Sequence, residues 1–119
     1  MSKKLKTTPK EFFNSFSEFN EEALYIVDYT NEFKKNINLC YKRNLNLDLL
    51  ETAIRILAKE GNLPNKYRTH PLKGFKKGKD EIIMECHIQP NWLLIWTQND
   101  KVLTLILTDT GTHADLFGM

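Results

Sequence analysis

The chain has 119 residues, 41% of them hydrophobic, and a formal net charge of +2. This is the size of one domain with a modest core, and the composition argues against a disordered chain. No apolar run approaches the roughly 20 residues that span a bilayer, and no apolar segment follows the basic N-terminus, so we expect a cytoplasmic protein without a membrane partner. Cys40 and Cys86 are too few for a disulfide framework, and we expect free thiols.

The first predicted helix begins at Thr8. Threonine is a good cap, Pro9 suits the first helical position, and Glu11 completes a capping box. Phenylalanines follow at helical spacing: Phe12, Phe13, Phe16 and Phe19. We therefore predict an N-terminal extension over residues 1–22 with a short amphipathic helix, followed by one domain over residues 23–119.

A strand and two helices are predicted next. The apolar run Leu24–Tyr29 is typical of a strand, and Thr30 is a suitable cap for the helix after it. The apolar face of that helix consists of Phe33, Ile37, Cys40 and Tyr41. A second helix, with a stripe of leucine and isoleucine, begins near Asn46 and ends at Gly61. The short connection between the two helices indicates an antiparallel pair.

The second half of the chain differs from the first in composition and in the pattern of its apolar residues. Residues 62–80 are basic and contain glycine and proline, and we interpret them as a loop. Three apolar runs follow, at Glu81–Gln89, Trp92–Gln98 and Val102–Thr108, with turn signals between them. Short connections favour an antiparallel meander. The expected fold is therefore α+β, with two antiparallel helices packed on a small antiparallel sheet and an extra N-terminal helix.

Basic residues crowd the middle of the chain, with few acids between them: Lys59, Lys66, Arg68, Lys73, Lys76, Lys77 and Lys79. Such a cluster can follow a phosphate backbone. Charge alone nevertheless favours a solvated loop surface over a nucleic-acid site.

The histidines supply a more specific indication. Strand alternation places Glu85 and His87 on one face, opposite the apolar face of Cys86, while His70 and His113 lie in loop or strand-end positions. Taken singly, each histidine is more often structural than catalytic. Cleavage of RNA through the ribose 2′-hydroxyl, however, needs a base, an acid and cations, and histidine suits both proton transfers without a metal or cofactor. The candidate cations are Arg68, Lys73, Lys76 and Lys77.

Other chemistries have less support. Cys86 and His87 are adjacent on a strand and project to opposite faces, so they are poor joint ligands for zinc. The sequence has no phosphate-binding glycine loop, no HExxH pattern and no nucleophile elbow. Trp92 and Trp96 could stack on bases, although their strand spacing beside Leu94 favours a place in the core.

Three segments, in order, resemble YafQ-type toxins of the RelE superfamily. Residues 67–74 contain the HPLxG segment, residues 85–95 are similar to the strand pair CHIxPDWLLIY, and residues 110–117 match the C-terminal signature TGTHxxLF. The resemblance implies a ribosome-dependent mRNA endoribonuclease that a cognate antitoxin holds inactive. It also implies mRNA on the ribosome as a partner, and operator DNA as a partner of the antitoxin complex.

The resemblance further implies a role for each site residue. His70 would lie near the scissile phosphate or position the RNA, and Glu85 would orient a neighbour. His87 and His113 would share the acid and base work, in an order that stays open. Phe117 would stack on a base or shape the pocket, unless it only plugs the core.

One departure from the family pattern leaves a second hypothesis open. The family often has an aspartate where this chain has Asn91, which we assign to substrate binding because an amide cannot transfer protons at neutral pH. The alternative is therefore a catalytically weak or inactive module that binds antitoxin, RNA or ribosome and helps to autoregulate its operon. A metal-dependent hydrolase is a third, weaker reading. The N-terminal extension and the long stretch Lys76–Glu81 also depart from the family.

Overall fold

The computed structural model describes residues 6–76 and 80–118, apart from the side chains of residues 20 and 73–76. Its elements are α1 Pro9–Asn14, α2 Phe16–Glu22, β1 Ile26–Tyr29, α3 Asn31–Lys42, α4 Leu47–Glu60, a 3-10 turn at Asn65–Tyr67, β2 His70–Lys76, β3 Glu81–Gln89, β4 Trp92–Asn99, β5 Thr104–Gly111 and α5 His113–Phe117. No helix in the described ranges is long and apolar enough to cross a membrane.

The predicted N-terminal helix consists of two short helices that meet at Ser15. The capping box is confirmed, since the Thr8 hydroxyl accepts from the Glu11 amide at 3.2 Å and the Glu11 carboxylate accepts from the Thr8 amide at 2.9 Å. Three phenylalanines of this segment are buried: Phe12, Phe16 and Phe19. They join the main core through contacts of α1 with α3 and α4 and of α2 with α4, so this segment packs on the rest of the chain.

Local capping signals determine where α3 and α4 begin and end. The Thr30 hydroxyl accepts from the Phe33 amide at 3.1 Å, and the Asn46 side chain accepts from the Asp48 amide at 3.0 Å. Gly61 ends α4 with a φ of 76°, where a Cβ would lie only 2.8 Å from the Tyr25 ring. α3 contacts β5 and α4 contacts β3, whereas the antiparallel orientation of the two helices stays a prediction.

The sheet has the strand order β1-β5-β4-β3-β2, and the predicted meander of β3, β4 and β5 is confirmed. The prediction of an antiparallel sheet was wrong at one edge, where β1 pairs in parallel with β5. Parallel neighbours need a long connection, and here the two helices and three further strands separate β1 from β5 along the chain. The sheet is therefore mixed.

The interpretation of residues 62–80 as a loop was wrong for residues 65–67 and 70–76, and residues 77–79 lie outside the described part of the chain. This stretch contains the 3-10 turn and β2, which pairs antiparallel with β3 at the other edge of the sheet. An edge strand tolerates proline and lysine because one side of its backbone has no strand partner. The register of β2 shifts between Pro71 and Lys76, which fits such an irregular edge.

The two faces of the sheet differ. Cys86, Trp92, Leu94 and Trp96 are buried in the core, which confirms the core position of both tryptophans and leaves both cysteines as buried free thiols. The indole of Trp92 donates to the Thr110 hydroxyl at 2.9 Å. The opposite face carries the alternate side chains of β3 and β4, including the candidate site.

Candidate active site

The four predicted catalytic residues lie near one another on the face opposite Cys86. His70 of β2 stands directly across from Glu85 of β3, and His87 is two residues further along the same strand. His113 is the first residue of α5, separated from the end of β5 by Thr112, and its ring centroid lies 6.3 Å from that of His87. The fold therefore brings together side chains from two strands and one helix.

His70 and Glu85 form a closely coupled pair. Nε2 of His70 lies 3.0 Å from a Glu85 carboxylate oxygen, and Nδ1 lies 2.9 Å from the backbone oxygen of Arg68. The Glu85 side chain is only 8% exposed, whereas that of His70 is 48% exposed. Both ring nitrogens of His70 thus lie within hydrogen-bond distance of an oxygen atom. This engagement suits His70 to holding Glu85 and the Arg68 loop in place.

His87 and His113 are differently placed. His87 is half-buried and faces His113, whose ring lies 6.0 Å from the ring of Phe117 at the end of α5. Phe117 is 40% exposed and lies outside the core cluster, so it does not plug the core. An accessible aromatic ring beside the His113 imidazole can stack on a base.

A cavity of about 220 Å³ adjoins His87. Its lining residues are Lys66, Arg68, His87, Ile88, Gln89 and Pro90. Arg68 has a φ of 52° in the left-handed region, at the end of the 3-10 turn. Two cations thus lie beside a histidine, an arrangement that suits a phosphate.

Sequence reasoning did not assign Lys66 or Gln89 to the site. The signals were present, because Lys66 belongs to the basic cluster and strand alternation places Gln89 on the face of His87. Their joint contribution depends on how the 3-10 turn folds against β3, which local pattern does not reveal.

The remaining predicted substrate-binding residues are less well defined. Lys73 and Lys76 belong to β2, but their side chains, and Lys77 as a whole, lie outside the described part of the chain. Asn91 is exposed in the turn between β3 and β4, next to the Pro90 that lines the cavity. Asn91 is thus the chain neighbour of a residue that lines the cavity.

Asp109, a half-buried residue near the end of β5, was not singled out from the sequence. Burial raises the pKa of Asp109, and the nearby Glu32 and Asp115 add to this effect. The Thr110 amide at 3.1 Å and the side-chain amide of Asn36 both donate to its carboxylate.

Comparison with known proteins assigns the class. The model of a family described as the bacterial toxin of type II toxin–antitoxin systems, YafQ, matches residues 25–118. The mRNA interferase toxin YafQ of Escherichia coli K12 is 34% identical over 93 residues, which cover 77% of this chain and 95% of that protein. The chain is thus a toxin of the type II toxin–antitoxin class.

Solved structures agree with this class. A chain in the crystal structure of the E. coli DinJ–YafQ toxin–antitoxin complex matches with a TM-score of 0.69 and 33% identity, over 79% of this chain and 98% of that one. A metal-bound toxin from Helicobacter pylori matches with a TM-score of 0.68 and 34% identity, over 76% and 97%. The chain belongs to the YafQ toxin family.

The Helicobacter pylori relative is a metal-bound toxin, which raises the question of ligands in this chain. Within residues 6–76 and 80–118, no three side chains of histidine, cysteine, aspartate or glutamate are close enough together to hold a metal ion. The side chains in these ranges therefore do not form a metal site with three such ligands.

Proposed function

We propose that this protein is an endoribonuclease that cleaves mRNA on the ribosome and so inhibits translation in the cytoplasm. The observation that carries this proposal is the facing pair of His87 and His113, with ring centroids 6.3 Å apart, beside a basic cavity. Membership of a toxin family whose E. coli relative is an mRNA interferase supports it.

The separation of the two rings suits metal-independent cleavage. A catalytic group must approach its proton within about 2.6–3.2 Å, and two rings at this separation can bracket one phosphoryl group. One histidine takes the proton of the 2′-hydroxyl as the 2′-oxygen forms its bond to phosphorus. The other gives a proton to the 5′-oxygen as the P–O5′ bond breaks. Both assignments of acid and base are compatible with this geometry.

The surrounding residues take supporting roles in this proposal. Lys66 and Arg68 stabilise the negative charge that grows on the phosphoryl oxygens. His70, paired with the buried Glu85, holds the Arg68 backbone and helps to position the RNA. Phe117 stacks on a base next to the cleaved bond. Three further lysines of the basic cluster in the sequence add positive charge for the RNA backbone: Lys73, Lys76 and Lys77.

The ribosome and an antitoxin are the partners we propose. A net charge of +2 with few basic contacts gives weak, salt-sensitive binding to free RNA, so the ribosome must present the substrate. The E. coli relative has been solved together with DinJ, and we propose that a cognate antitoxin likewise binds this chain. Operator DNA would then be contacted through the antitoxin complex.

A second candidate function rests on Asn91. If the family's aspartate at this position is essential, the chain is a weak or inactive module that binds antitoxin, RNA or ribosome and helps to regulate its operon. Asn91 is exposed, next in the chain to a residue that lines the cavity, and its amide can donate and accept hydrogen bonds but cannot move a proton.

Translation of a reporter mRNA in a bacterial extract separates the two candidates. We expect primer extension to show cuts only in translated mRNA, and we expect His87→Ala and His113→Ala each to slow cleavage by about 10²–10⁴-fold. Arg55→Ala, on α4, is the control and should cleave like the unaltered protein. Stalled synthesis without any cut would instead support the binding module.

A further inference from the structure

The helix that carries His113 and Phe117 is short. α5 has five residues, and none of them is buried. A helix of this length does not persist in water without outside support, because its nucleation is unfavourable. The position of His113 against His87 therefore depends on whatever holds α5 to the rest of the fold.

Capping interactions stabilise α5 locally. The Thr112 hydroxyl accepts from the Asp115 amide at 3.2 Å, and the Asp115 carboxylate accepts from the Thr112 amide at 3.1 Å. Gly118 ends the helix with a φ of 71°. These bonds all lie within residues 112–118, so they shape the helix without fixing its place relative to the sheet.

A contact that is distant in sequence supplies that placement. Nη1 of Arg43 donates to one Asp115 oxygen at 2.9 Å, and Nη2 lies 2.9 Å from the other, so the pair is bidentate. The Asp115 side chain is 13% exposed and that of Arg43 46%. The same carboxylate thus caps α5 and binds a guanidinium from another element.

The backbone of Arg43 is itself held in place by hydrogen bonds. It is the C-cap of α3, where its amide donates to the backbone oxygens of Leu39 and Cys40 at 3.0 and 3.1 Å. α3 in turn packs on β5, the strand that leads into α5. The pair of Arg43 and Asp115 therefore links α5 to α3, which itself packs on the strand that precedes α5.

We propose that Arg43 and Asp115 are positioning residues that set the distance between His113 and His87. This inference rests on the proposed endoribonuclease function and deepens it. Without the ion pair, α5 shifts or frays, and His113 and Phe117 move together away from the substrate. Displacements of about 1 Å in a catalytic group can cost about 10²-fold in rate.

Two variants that change the charge in opposite directions distinguish a positioning role of the pair from direct binding of RNA by Arg43. Arg43→Met removes a positive charge and Asp115→Asn removes a negative one, while the asparagine oxygen can still accept from the Thr112 amide. If Arg43 served RNA directly, only its own replacement would impair the reaction. Positioning requires that both replacements impair it alike.

The experiment measures cleavage of ribosome-bound mRNA by Arg43→Met, Asp115→Asn and the double variant. We expect each single variant to lose about tenfold in kcat with KM nearly unchanged, and the double variant to lose no more than a single one. Arg43→Lys should recover only part of the rate, since lysine cannot form the bidentate pair. Arg55→Met, which breaks the surface pair with Glu51, is the charge-matched control.

Hydrogen exchange reports on α5 independently of activity. The amides of Leu116 and Gly118 donate within the helix to Thr112 and Ala114, and both should exchange faster in the two single variants but not in Arg55→Met. Unchanged kcat in both variants, or a loss in Arg43→Met alone, would overturn the inference. If the unaltered protein cuts no mRNA, the proposed function is wrong, and the pair then has no catalytic role. Faster exchange in the variants would in that case show only that the pair holds α5 in place.

Discussion

Replacing His70 by alanine should destabilise the fold through Glu85. The Glu85 side chain is nearly buried, and His70 is the ion partner that the structure gives it, at 3.0 Å. Leaving a buried hydrogen-bonding group without its partner costs about 1–3 kcal/mol, and a charged group costs more. Because half of the His70 side chain is exposed and water can enter the vacated space, we expect the free energy of unfolding to fall by about 1–2 kcal/mol. In a domain of this size, each kcal/mol lowers Tm by roughly 5 °C.

Urea denaturation at pH 7 provides the assay, as a cycle of His70→Ala, Glu85→Gln and the double variant. Removing the glutamate charge removes the penalty, so the double variant should be more stable than the sum of the single losses predicts, by about 1 kcal/mol. Arg55→Ala is the matched control, because its surface pair with Glu51 is worth about 0.3–0.5 kcal/mol. A His70→Ala loss no larger than the control, with zero coupling to Glu85, would refute the reasoning.

Three further predictions concern stability and reactivity. Burial raises the pKa of Cys40 to about 11 and that of Cys86 to about 12, so the folded protein should resist thiol reagents at pH 8 and react fully in urea; rapid reaction when folded would contradict this. Burial raises the pKa of Asp109, so its ionised form destabilises the folded state above that pKa and the penalty disappears as pH falls below the unfolded value. In urea titrations, Asp109→Asn should therefore be more stable than the unaltered protein at pH 7, and this difference should disappear near pH 4. A difference in the free energy of unfolding that is the same at both pH values would contradict this effect of burial. Phe12→Ala, which empties a fully buried site, should cost about 3–5 kcal/mol in thermal unfolding, against less than about 1 kcal/mol for the exposed Phe117→Ala; equal losses would contradict the packing of the N-terminal helices.

Local chemistry made much of the fold predictable. The caps at Thr8, Thr30 and Asn46 and the left-handed Gly61 act within a few residues, so the sequence shows where the helices begin and end. The meander of β3 to β5 is likewise local, since short turns force neighbouring strands to pair. The parallel pairing of β1 with β5 joins distant segments, and no nearby residue signals it.

The candidate site was predictable to the extent that it follows strand alternation and family motifs. Alternation along β3 is sufficient to place Glu85 and His87 on one face, because successive side chains of a strand point in opposite directions. The contact of His70 with Glu85 was missed because β2, an edge strand with proline and lysine, has the composition of a loop. The pair of Arg43 with Asp115 joins residues 72 positions apart, and only the packed fold brings them together.

The chemistry of the cut RNA ends tests the central claim most directly. Attack by the 2′-oxygen with histidines as acid and base leaves a 2′,3′-cyclic phosphate on one fragment and a 5′-hydroxyl on the other. We predict these ends on mRNA cut by the unaltered protein, and their loss with His87→Ala or His113→Ala. Ends with a 3′-hydroxyl and a 5′-phosphate would contradict the account. Undiminished cleavage by either His87→Ala or His113→Ala would also contradict it.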